Sequence, residues 1–307
     1  MRTDRAIVLG APRSGTTFLM GFLDAHRRAE CVSGNLLPVG IAHLAAQPLS
    51  DDVQAALRRS FRRALVDYLD SGAYNSRTAA LRKWWAAGHR PGDLRHAANG
   101  RRREDLLVYK EPFLAFAPEL AYDALPDARL IWIHRDGRDV ADSLVRSYDV
   151  LSDAKLANLE SNEVMMGEPA GACFLPWWVT EQDATEFFAA TPYVRAIWMW
   201  REMTTRCLAL AERPDVLASG RILRVRYEQL MSDPLGQGEA ILSHLGLAPT
   251  RTVRKRLQAA HTRSIAIHAR RPGDELAAAE ERAGAELAAL DYPVDESAAA
   301  TAELRTA

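Results

Sequence analysis

The stretch that decides the fold is "GAPRSGTTFL", residues 10–19. It follows the apolar segment "RAIVLG" (5–10), which predicts a short buried strand, and it leads into a helical pattern over residues 15–27. A glycine-rich turn between a strand and a helix directs several backbone N–H groups and the positive end of the helix dipole toward one point. The stretch is therefore predicted to bind an anion.

The side chains of this loop differ from those of a nucleotide triphosphatase. Gly10 and Gly15 have the spacing of a phosphate-binding loop, but Thr16 and Thr17 stand where Lys and then Ser or Thr are expected. The cation of the loop is Arg13, whose planar charge suits an anionic ligand. A plain strand–helix turn with a serine cap is the alternative. The predicted anion-binding residues are Arg13, Ser14, Gly15, Thr16 and Thr17.

A second strand–turn–helix pattern lies in "IWIHRDGRDVADSLVRS", residues 131–147. Arg135 ends the strand, and Ser143 follows about two helical turns into the helix. Both side chains can face the carboxyl edge of the sheet, where ligands of open α/β sheets bind. An arginine and a hydroxyl suit a second phosphate, although Arg135 and Asp139 could instead form a surface ion pair. Two anion sites without a metal motif indicate a nucleotide with phosphates at two places.

The rest of the chain alternates strand and helix patterns, which predicts an α/β fold with a central parallel sheet flanked by helices. Residues 149–176 show no sustained periodicity and are predicted to be a mobile loop near the substrate. No linker or repeat is visible, so residues 1–307 are expected to form a single domain. Further strands are predicted at 106–110 and 128–135, and residues 221–230 are predicted to be a strand that leads into a turn. Helices are predicted at 51–71, 193–213, 235–261 (two) and 275–290.

Composition narrows the classes of partner. The net charge of the 307-residue chain is -1, so global electrostatics do not direct it to nucleic acid or to an anionic membrane. Three scattered cysteines have no metal-ligand spacing, and no apolar run approaches the roughly 20 residues of a membrane helix. We expect a cytoplasmic protein without nucleic-acid or membrane partners. A homodimer is left open.

The loop at 10–19 and the segment "IHRDGRDVADS" (133–143) together resemble the two cofactor motifs of sulfotransferases that use 3′-phosphoadenosine 5′-phosphosulfate (PAPS). "YKEPF" (109–113) resembles a segment of the tyrosylprotein sulfotransferases. The resemblance covers most of the chain, with weaker stretches at 36–105 and 149–190. It implies a P-loop-like sulfotransferase fold, PAPS as donor, 3′,5′-ADP as product and no metal.

The resemblance also implies roles for individual residues. The first loop would hold the 5′-phosphosulfate, and Arg135 with Ser143 would hold the 3′-phosphate. "RVRYEQLMSDP" (224–234) resembles the segment that places an aromatic ring, here Tyr227, near the adenine. "HTRSIAIHARRPGD" (261–274) resembles a late loop that touches the cofactor, which implies contacts from Ser264 and Arg271.

Sulfuryl transfer, by analogy with phosphoryl transfer, depends on positioning and on stabilising the charge of the leaving phosphate. Arg13 is the first candidate for that stabilisation. Lys110 is the second, because it matches a family lysine that contacts the phosphosulfate. Adjacent strand residues point to opposite faces, and Pro112 favours an extended Glu111, so Glu111 is expected to turn away from Lys110 toward the other side of the sheet or an arginine.

The general base is not carried over from the family. Asn35 stands where tyrosylprotein sulfotransferases have a glutamate, and Pro112 stands where cytosolic small-molecule sulfotransferases have a histidine. Glu111, His43 and Glu30 are the remaining candidates for the group that accepts the acceptor proton.

The sequence therefore predicts a sulfotransferase that acts on the hydroxyl of a small molecule or secondary metabolite. Trp177 and Trp178 follow the predicted mobile loop and are candidates for an aromatic acceptor site, although a core position is the commoner role of such residues. The alternatives are a tyrosyl-peptide sulfotransferase, a P-loop-type small-molecule kinase and a nucleotide-binding protein without catalytic activity.

Overall fold

The computed structural model describes residues 4–33, 42, 44–45, 47–70, 106–149, 151–157 and 167–294. Within them, five parallel strands form one sheet in the order β2-β3-β1-β4-β7, and β5 pairs with β6 in an antiparallel hairpin. The strands are β1 (Arg5–Leu9), β2 (Ala29–Ser33), β3 (Leu106–Lys110), β4 (Arg129–His134), β5 (Gly167–Ala170), β6 (Cys173–Pro176) and β7 (Ile222–Arg226).

Helices cover both faces of the sheet. In chain order they are α1 (Thr16–Asp24), α2 (Asp51–Asp70), α3 (Pro118–Ala124), α4 (Gly137–Tyr148), α5 (Asp153–Ala157), α6 (Ala184–Ala189), α7 (Pro192–Ala211), α8 (Pro214–Ser219), α9 (Tyr227–Ser232), α10 (Pro234–His244), α11 (Arg251–Leu257) and α12 (Gly273–Ala289). Short 3₁₀ helices span Pro112–Phe116 and Ile267–Arg270.

The central strands are apolar on both faces, as expected for parallel strands that helices cover on each side. Ile7 and Leu9 of β1 point into a core shared with α4, α7 and α12, whereas Ala6 and Val8 point into a core shared with α1, α10 and α11. This three-layer arrangement confirms the predicted α/β class.

Two predicted segments differ from the structure. β7 ends at Arg226, and the short helix α9 follows in place of the predicted turn, since Tyr227 and Leu230 are buried at helical spacing. Residues 149–176 contain α5 and the β5–β6 hairpin, so this segment has more regular structure than predicted. Residues 150 and 158–166 lie outside the described part of the chain, and mobility of the segment stays a prediction.

The strand register determines which residues meet at the carboxyl edge of the sheet. β1 lies between β3 and β4, with Val8 beside Lys110 and Leu9 beside Trp132. The loop that leaves β1 therefore emerges between Glu111 on one side and Arg135 on the other. This edge is where open α/β sheets bind ligands.

Candidate active site at the carboxyl edge of the sheet

The backbone of the loop after β1 packs too closely for side chains at its two glycines. A Cβ at Gly10 would lie 2.4 Å from the Ile133 carbonyl oxygen, and a Cβ at Gly15 would lie 2.4 Å from Cδ2 of Tyr227. Gly15 also has a φ of 91°, in the left-handed region that favours glycine. The glycines therefore allow the loop to sit tightly between β4 and α9.

The loop presents donors that suit an anion. Ser14 is fully buried, and within the described residues its hydroxyl has no hydrogen-bond partner. The helix that follows, α1, has no side-chain cap on its first turn. Thr16 is buried at that turn, whereas Thr17 is exposed. The N–H groups of a helix N-terminus, together with a hydroxyl that lacks a partner among the described residues, would suit an anion, and the phosphate site itself stays a prediction.

Arg13 extends away from its own loop and reaches α4. Its Nε donates to the Ser143 hydroxyl at 2.9 Å, and its Nη1 donates to the Tyr148 hydroxyl at 3.4 Å. The guanidinium carbon also lies 5.4 Å from the centre of the Tyr148 ring. The structure thus joins Arg13 and Ser143, which the sequence assigned to two different phosphates. Sequence reasoning missed Tyr148, because an exposed tyrosine at a helix end has no distinguishing local pattern.

Arg135 is buried and is held largely by protein groups. Its Nη1 donates to the Arg13 carbonyl at 3.0 Å, its Nη2 donates to the Ser264 carbonyl, and Nη2 lies 3.5 Å from Asp139 Oδ2. Its Nε is buried and has no hydrogen-bond partner among the described residues. Arg135 and Ser143 were predicted to hold one phosphate together, and that shared role stays a prediction. The ion pair with Asp139 does form, but it is buried and not at the surface.

The other predicted cofactor residues surround Arg135. The Tyr227 ring lies 4.8 Å from the Arg135 guanidinium carbon, and Ser264 contributes its carbonyl. Arg271 instead directs its Nε to Asp142 Oδ1 at 2.7 Å and its Nη1 to Glu275 at 3.3 Å. Those two carboxylates hold Arg271 on α4 and α12, and its contact with a phosphate stays a prediction.

Lys110 and Glu111 lie on the opposite side of the loop. Glu111 is extended, with φ −141° and ψ 109°, as Pro112 predicts, and it is 6% exposed. Its Oε1 accepts from the Phe113 N–H at 3.3 Å, which caps the following 3₁₀ helix. Among the described residues Glu111 has no arginine partner, and the alternative, a turn toward the other side of the sheet, stays a prediction.

Burial shifts the pKa of both members of this pair toward the neutral form. Burial raises the pKa of Glu111, although the Phe113 N–H and the Lys110 charge oppose that rise. Burial also lowers the pKa of Lys110, against the effect of the Glu111 charge. A carboxylate with a raised pKa is better matched to proton transfer near neutral pH than an exposed one.

The other two candidates for the general base are Glu30 and His43. Glu30 lies near the start of β2, aligned with Leu107, so it is at the opposite edge of the parallel sheet from the loop. Glu30 was therefore a wrong candidate, because its position along the strand was not visible from sequence. His43 lies outside the described residues, as does Asn35.

A row of buried, hydrogen-bonded side chains that the sequence did not reveal supports the turn after β4. Nδ1 of His134 lies 3.2 Å from the Tyr292 hydroxyl, which donates to Glu228 Oε2 at 2.9 Å. Glu228 Oε1 accepts from the Asp136 N–H at 3.1 Å. Burial, with the charges of two nearby arginines, lowers the pKa of His134 to about 3, so this histidine is neutral. These hydrogen bonds fix the backbone on either side of Arg135.

The described residues were also searched for metal-binding clusters and for membrane-spanning helices. They contain no group of His, Cys, Asp or Glu side chains arranged to hold a metal ion. None of the helices in the described ranges has the length and apolar character needed to cross a membrane.

Several solved structures are similar to this chain. The sulfotransferase domain of the Synechococcus PCC 7002 olefin synthase is 18% identical, with 96% of this chain and 97% of that chain covered and a TM-score of 0.49. Sulfotransferase STF9 from Mycobacterium avium is 16% identical, with 96% and 78% covered and a TM-score of 0.47. A sulfotransferase from Alicyclobacillus acidocaldarius is 17% identical, with 96% and 98% covered and a TM-score of 0.42.

No curated protein matches the chain in sequence. A family model does match, over residues 6–168, which include the loop after β1, Lys110, Glu111, Arg135 and Ser143. The matched residues make up more than half of the chain and contain both predicted anion sites. The model is that of the sulfotransferase family, and this chain belongs to that family.

Proposed function

We propose that this protein transfers a sulfuryl group from PAPS to an acceptor hydroxyl. The observation that carries the proposal is the position of the loop after β1. It lies between Lys110 and Glu111 at the end of β3 and Arg135 at the end of β4, and Arg13 extends from it to Ser143. Residues with cationic and hydroxyl side chains thus lie on both sides of the loop.

The residues present fit a nucleotide with anionic groups at two places. The hydroxyl of Ser14 and Nε of Arg135 are buried donors without partners among the described residues, and each belongs to one of the two predicted sites. Buried polar groups are normally hydrogen-bonded, so such atoms favour a ligand that supplies acceptors. Ser14 with the first turn of α1 would hold one phosphate group, and Arg13, Arg135 and Ser143 would hold the other.

When bound, PAPS would supply the sulfuryl group, and 3′,5′-ADP would leave with the phosphate oxygen that had carried it. The chain's own residues would do the rest. Glu111 would accept the proton of the acceptor hydroxyl, because burial raises its pKa and so makes it a stronger base than an exposed carboxylate. Lys110 supplies positive charge at the end of β3 beside the loop. Arg13, held at Ser143, is better placed to bind the nucleotide than to stabilise its leaving oxygen.

Aromatic side chains next to Glu111 support an apolar or aromatic small-molecule acceptor. Phe113, partly buried, donates its N–H to Glu111, and its ring lies 6.4 Å from that of Phe116. The Phe116 ring lies 4.8 Å from that of Trp177, at the end of the β5–β6 hairpin. A tyrosyl peptide is the alternative acceptor, since its phenol has the same chemistry.

A transfer assay tests this function. Purified protein is incubated with PAPS and a panel of phenols, aliphatic alcohols and tyrosyl peptides, and 3′,5′-ADP is measured with the sulfated product. We expect sulfated product from at least one phenol or alcohol. ATP turnover that requires magnesium, with no PAPS consumption, would instead identify a kinase. Tight binding of 3′,5′-ADP without transfer to any acceptor would indicate a non-catalytic protein.

Four expectations from the sequence are part of the same proposal. They are a single domain over residues 1–307, a cytoplasmic location, transfer without a metal and the lack of nucleic-acid or membrane partners. Transfer in the presence of a chelator checks the third. Size-exclusion chromatography with light scattering decides whether the protein is a monomer or a homodimer.

A further inference from the structure

Asp139, in the first turn of α4, gathers donors from two separate parts of the chain. Its carboxylate is 1% exposed. Oδ1 accepts from the His268 N–H at 3.0 Å and lies 2.6 Å from the His268 ring Nδ1, and Oδ2 accepts from the Ala266 N–H at 2.8 Å. Oδ2 also lies 3.5 Å from Arg135 Nη2. One carboxylate therefore ties the end of β4 to residues 261–271, here called the late segment.

The late segment has little apolar packing of its own. None of its side chains is buried, and Ala266 adopts a left-handed φ of 57°. Its contacts with α4 are polar: two backbone N–H groups and a ring nitrogen on Asp139, and the Arg271 guanidinium on Asp142. Ile265 is its apolar contact, partly buried against the core shared with α1, α10 and α11. Segments with few buried apolar contacts open at low free-energy cost, so the polar contacts with α4 contribute much of what holds the late segment.

The position of the late segment matters for Arg135. The Ser264 carbonyl accepts from Arg135 Nη2, the same nitrogen that faces Asp139. Two acceptors thus hold one end of the guanidinium, the Arg13 carbonyl holds Nη1, and the buried Nε is left to face a ligand. Without Asp139, both Arg135 and the segment that contributes Ser264 would lose their shared anchor.

We propose that Asp139 is a positioning residue for the second anion site, and that it determines the preference for a nucleotide carrying a 3′-phosphate. It acts through Arg135 and the late segment, and it does not touch the ligand. This inference rests on the proposed function, because the ligand concerned is the 3′-phosphate of PAPS or 3′,5′-ADP.

The test compares Asp139→Asn with the wild-type protein. Asparagine keeps one carbonyl acceptor, but its NH₂ would face N–H donors of the late segment or of Arg135. We expect the ratio of the Kd for 5′-AMP to the Kd for 3′,5′-ADP, measured by calorimetry, to fall about tenfold, as for loss of a hydrogen bond to a charged group. Amide hydrogen exchange at Ala266 and His268, measured without nucleotide, should become faster.

Glu280→Gln is the matched control. Glu280, on α12, forms an ion pair at 2.5 Å with Arg138 of α4, the helix that also carries Asp139. Its loss should lower the melting temperature and leave the nucleotide ratio unchanged. His268→Ala is a milder second variant, since it removes the ring contact and keeps both backbone donors. It should give a smaller loss of the ratio, and it replaces Asp139→Asn if that variant does not fold.

Different results would contradict the proposed function and the role of Asp139. A wild-type protein that binds 5′-AMP as tightly as 3′,5′-ADP would contradict the proposed function. A wild-type preference for 3′,5′-ADP that both Asp139→Asn and His268→Ala retain, or unchanged exchange at Ala266 and His268 in Asp139→Asn, would overturn the role of Asp139 alone. A ratio that falls equally in Glu280→Gln would reduce Asp139 to a general stabilising residue.

Discussion

Arg13 Nε donates to the Ser143 hydroxyl at 2.9 Å, although 130 positions separate the two residues in the chain. The contact connects the loop after β1 to α4, across the ends of two neighbouring strands. A hydroxyl that accepts from arginine still has its own hydrogen to donate. Arg13 and Ser143 can therefore present a guanidinium and an O–H to the same anion, and Tyr148 adds a second hydroxyl beside them.

This contact predicts coupled losses in nucleotide binding. Arg13→Ala and Ser143→Ala should each raise the KM for PAPS. Each should also raise the Kd for 3′,5′-ADP by about tenfold or more, because each removes a donor to one phosphate. The double variant should lose less than the sum of the two single losses, as for residues in contact. Calorimetric titration with 3′,5′-ADP measures the cycle. Strictly additive losses would show that the two side chains serve different phosphates.

Arg146→Ala serves as the control for that cycle. Arg146 lies on the same helix, is exposed, and pairs with Asp142 at 2.6 Å, away from Arg13. Its removal should leave the affinity for 3′,5′-ADP close to that of the wild-type protein. A large fall in kcat for Arg13→Ala, with the affinity for 3′,5′-ADP retained, would show instead that Arg13 stabilises the leaving oxygen.

Lys110 is predicted to act on the rate and not on nucleotide affinity. Lys110→Met keeps the length of the side chain and removes the charge, so kcat should fall by roughly two orders of magnitude, as for loss of one transition-state donor. Because the Lys110 charge opposes the rise in the Glu111 pKa, its loss should also shift the acidic limb of the pH–kcat profile to higher pH. Steady-state kinetics between pH 5 and pH 9 measure both effects. An unchanged kcat would remove Lys110 from the mechanism.

Local features of the site were predictable because their causes are local. The glycines of the loop, the apolar strands and the effect of Pro112 on Glu111 are each set by neighbouring residues, and the structure contains all of them. The start of α9 was harder to predict, because α9 follows β7 directly and has no side-chain cap. A hairpin such as β5–β6 depends on pairing between strands, which weak periodicity does not reveal.

Contacts between distant parts of the chain were not predictable in the same way. Arg13 was expected at its own loop, yet its side chain lies on α4, and Arg135 lies against carbonyls of both the loop and the late segment. Asp139 and His268 are 129 positions apart and have no motif in common. Which partner a long side chain selects depends on where the chain returns in space, and a single sequence does not record that.

The contact between Gly15 and Tyr227 predicts a sharp difference between two glycines. Gly15→Ala should strongly lower the melting temperature, because the new Cβ would lie 2.4 Å from the Tyr227 ring at a φ of 91°. Gly21→Ala should raise it, since nothing lies within 4 Å of that Cβ and alanine is the better helix former by about 1 kcal/mol. Thermal denaturation compares the two. A Gly15→Ala variant as stable as the wild-type protein would mean that the loop does not pack against Tyr227.

Glu111 is predicted to lower stability at neutral pH while it serves catalysis. Its pKa is raised in the folded protein by burial, so the folded state holds this proton more tightly than the unfolded state does. The resulting stabilisation is complete below the unfolded pKa of about 4.3 and is lost as the pH rises through the folded pKa. At pH 7 the buried carboxylate is therefore a net cost to folding.

Glu111→Gln removes that cost and keeps the acceptor that caps the 3₁₀ helix through the Phe113 N–H. The melting temperature should rise at pH 7, and the difference from the wild-type protein should disappear toward pH 4. The kcat should fall about 100-fold or more, because an amide cannot accept the acceptor proton. Glu111→Ala, which also removes the cap, should lose the same activity without the gain in stability. If Glu111→Gln melts higher but keeps its kcat, the carboxylate is a buried cap and the base lies elsewhere.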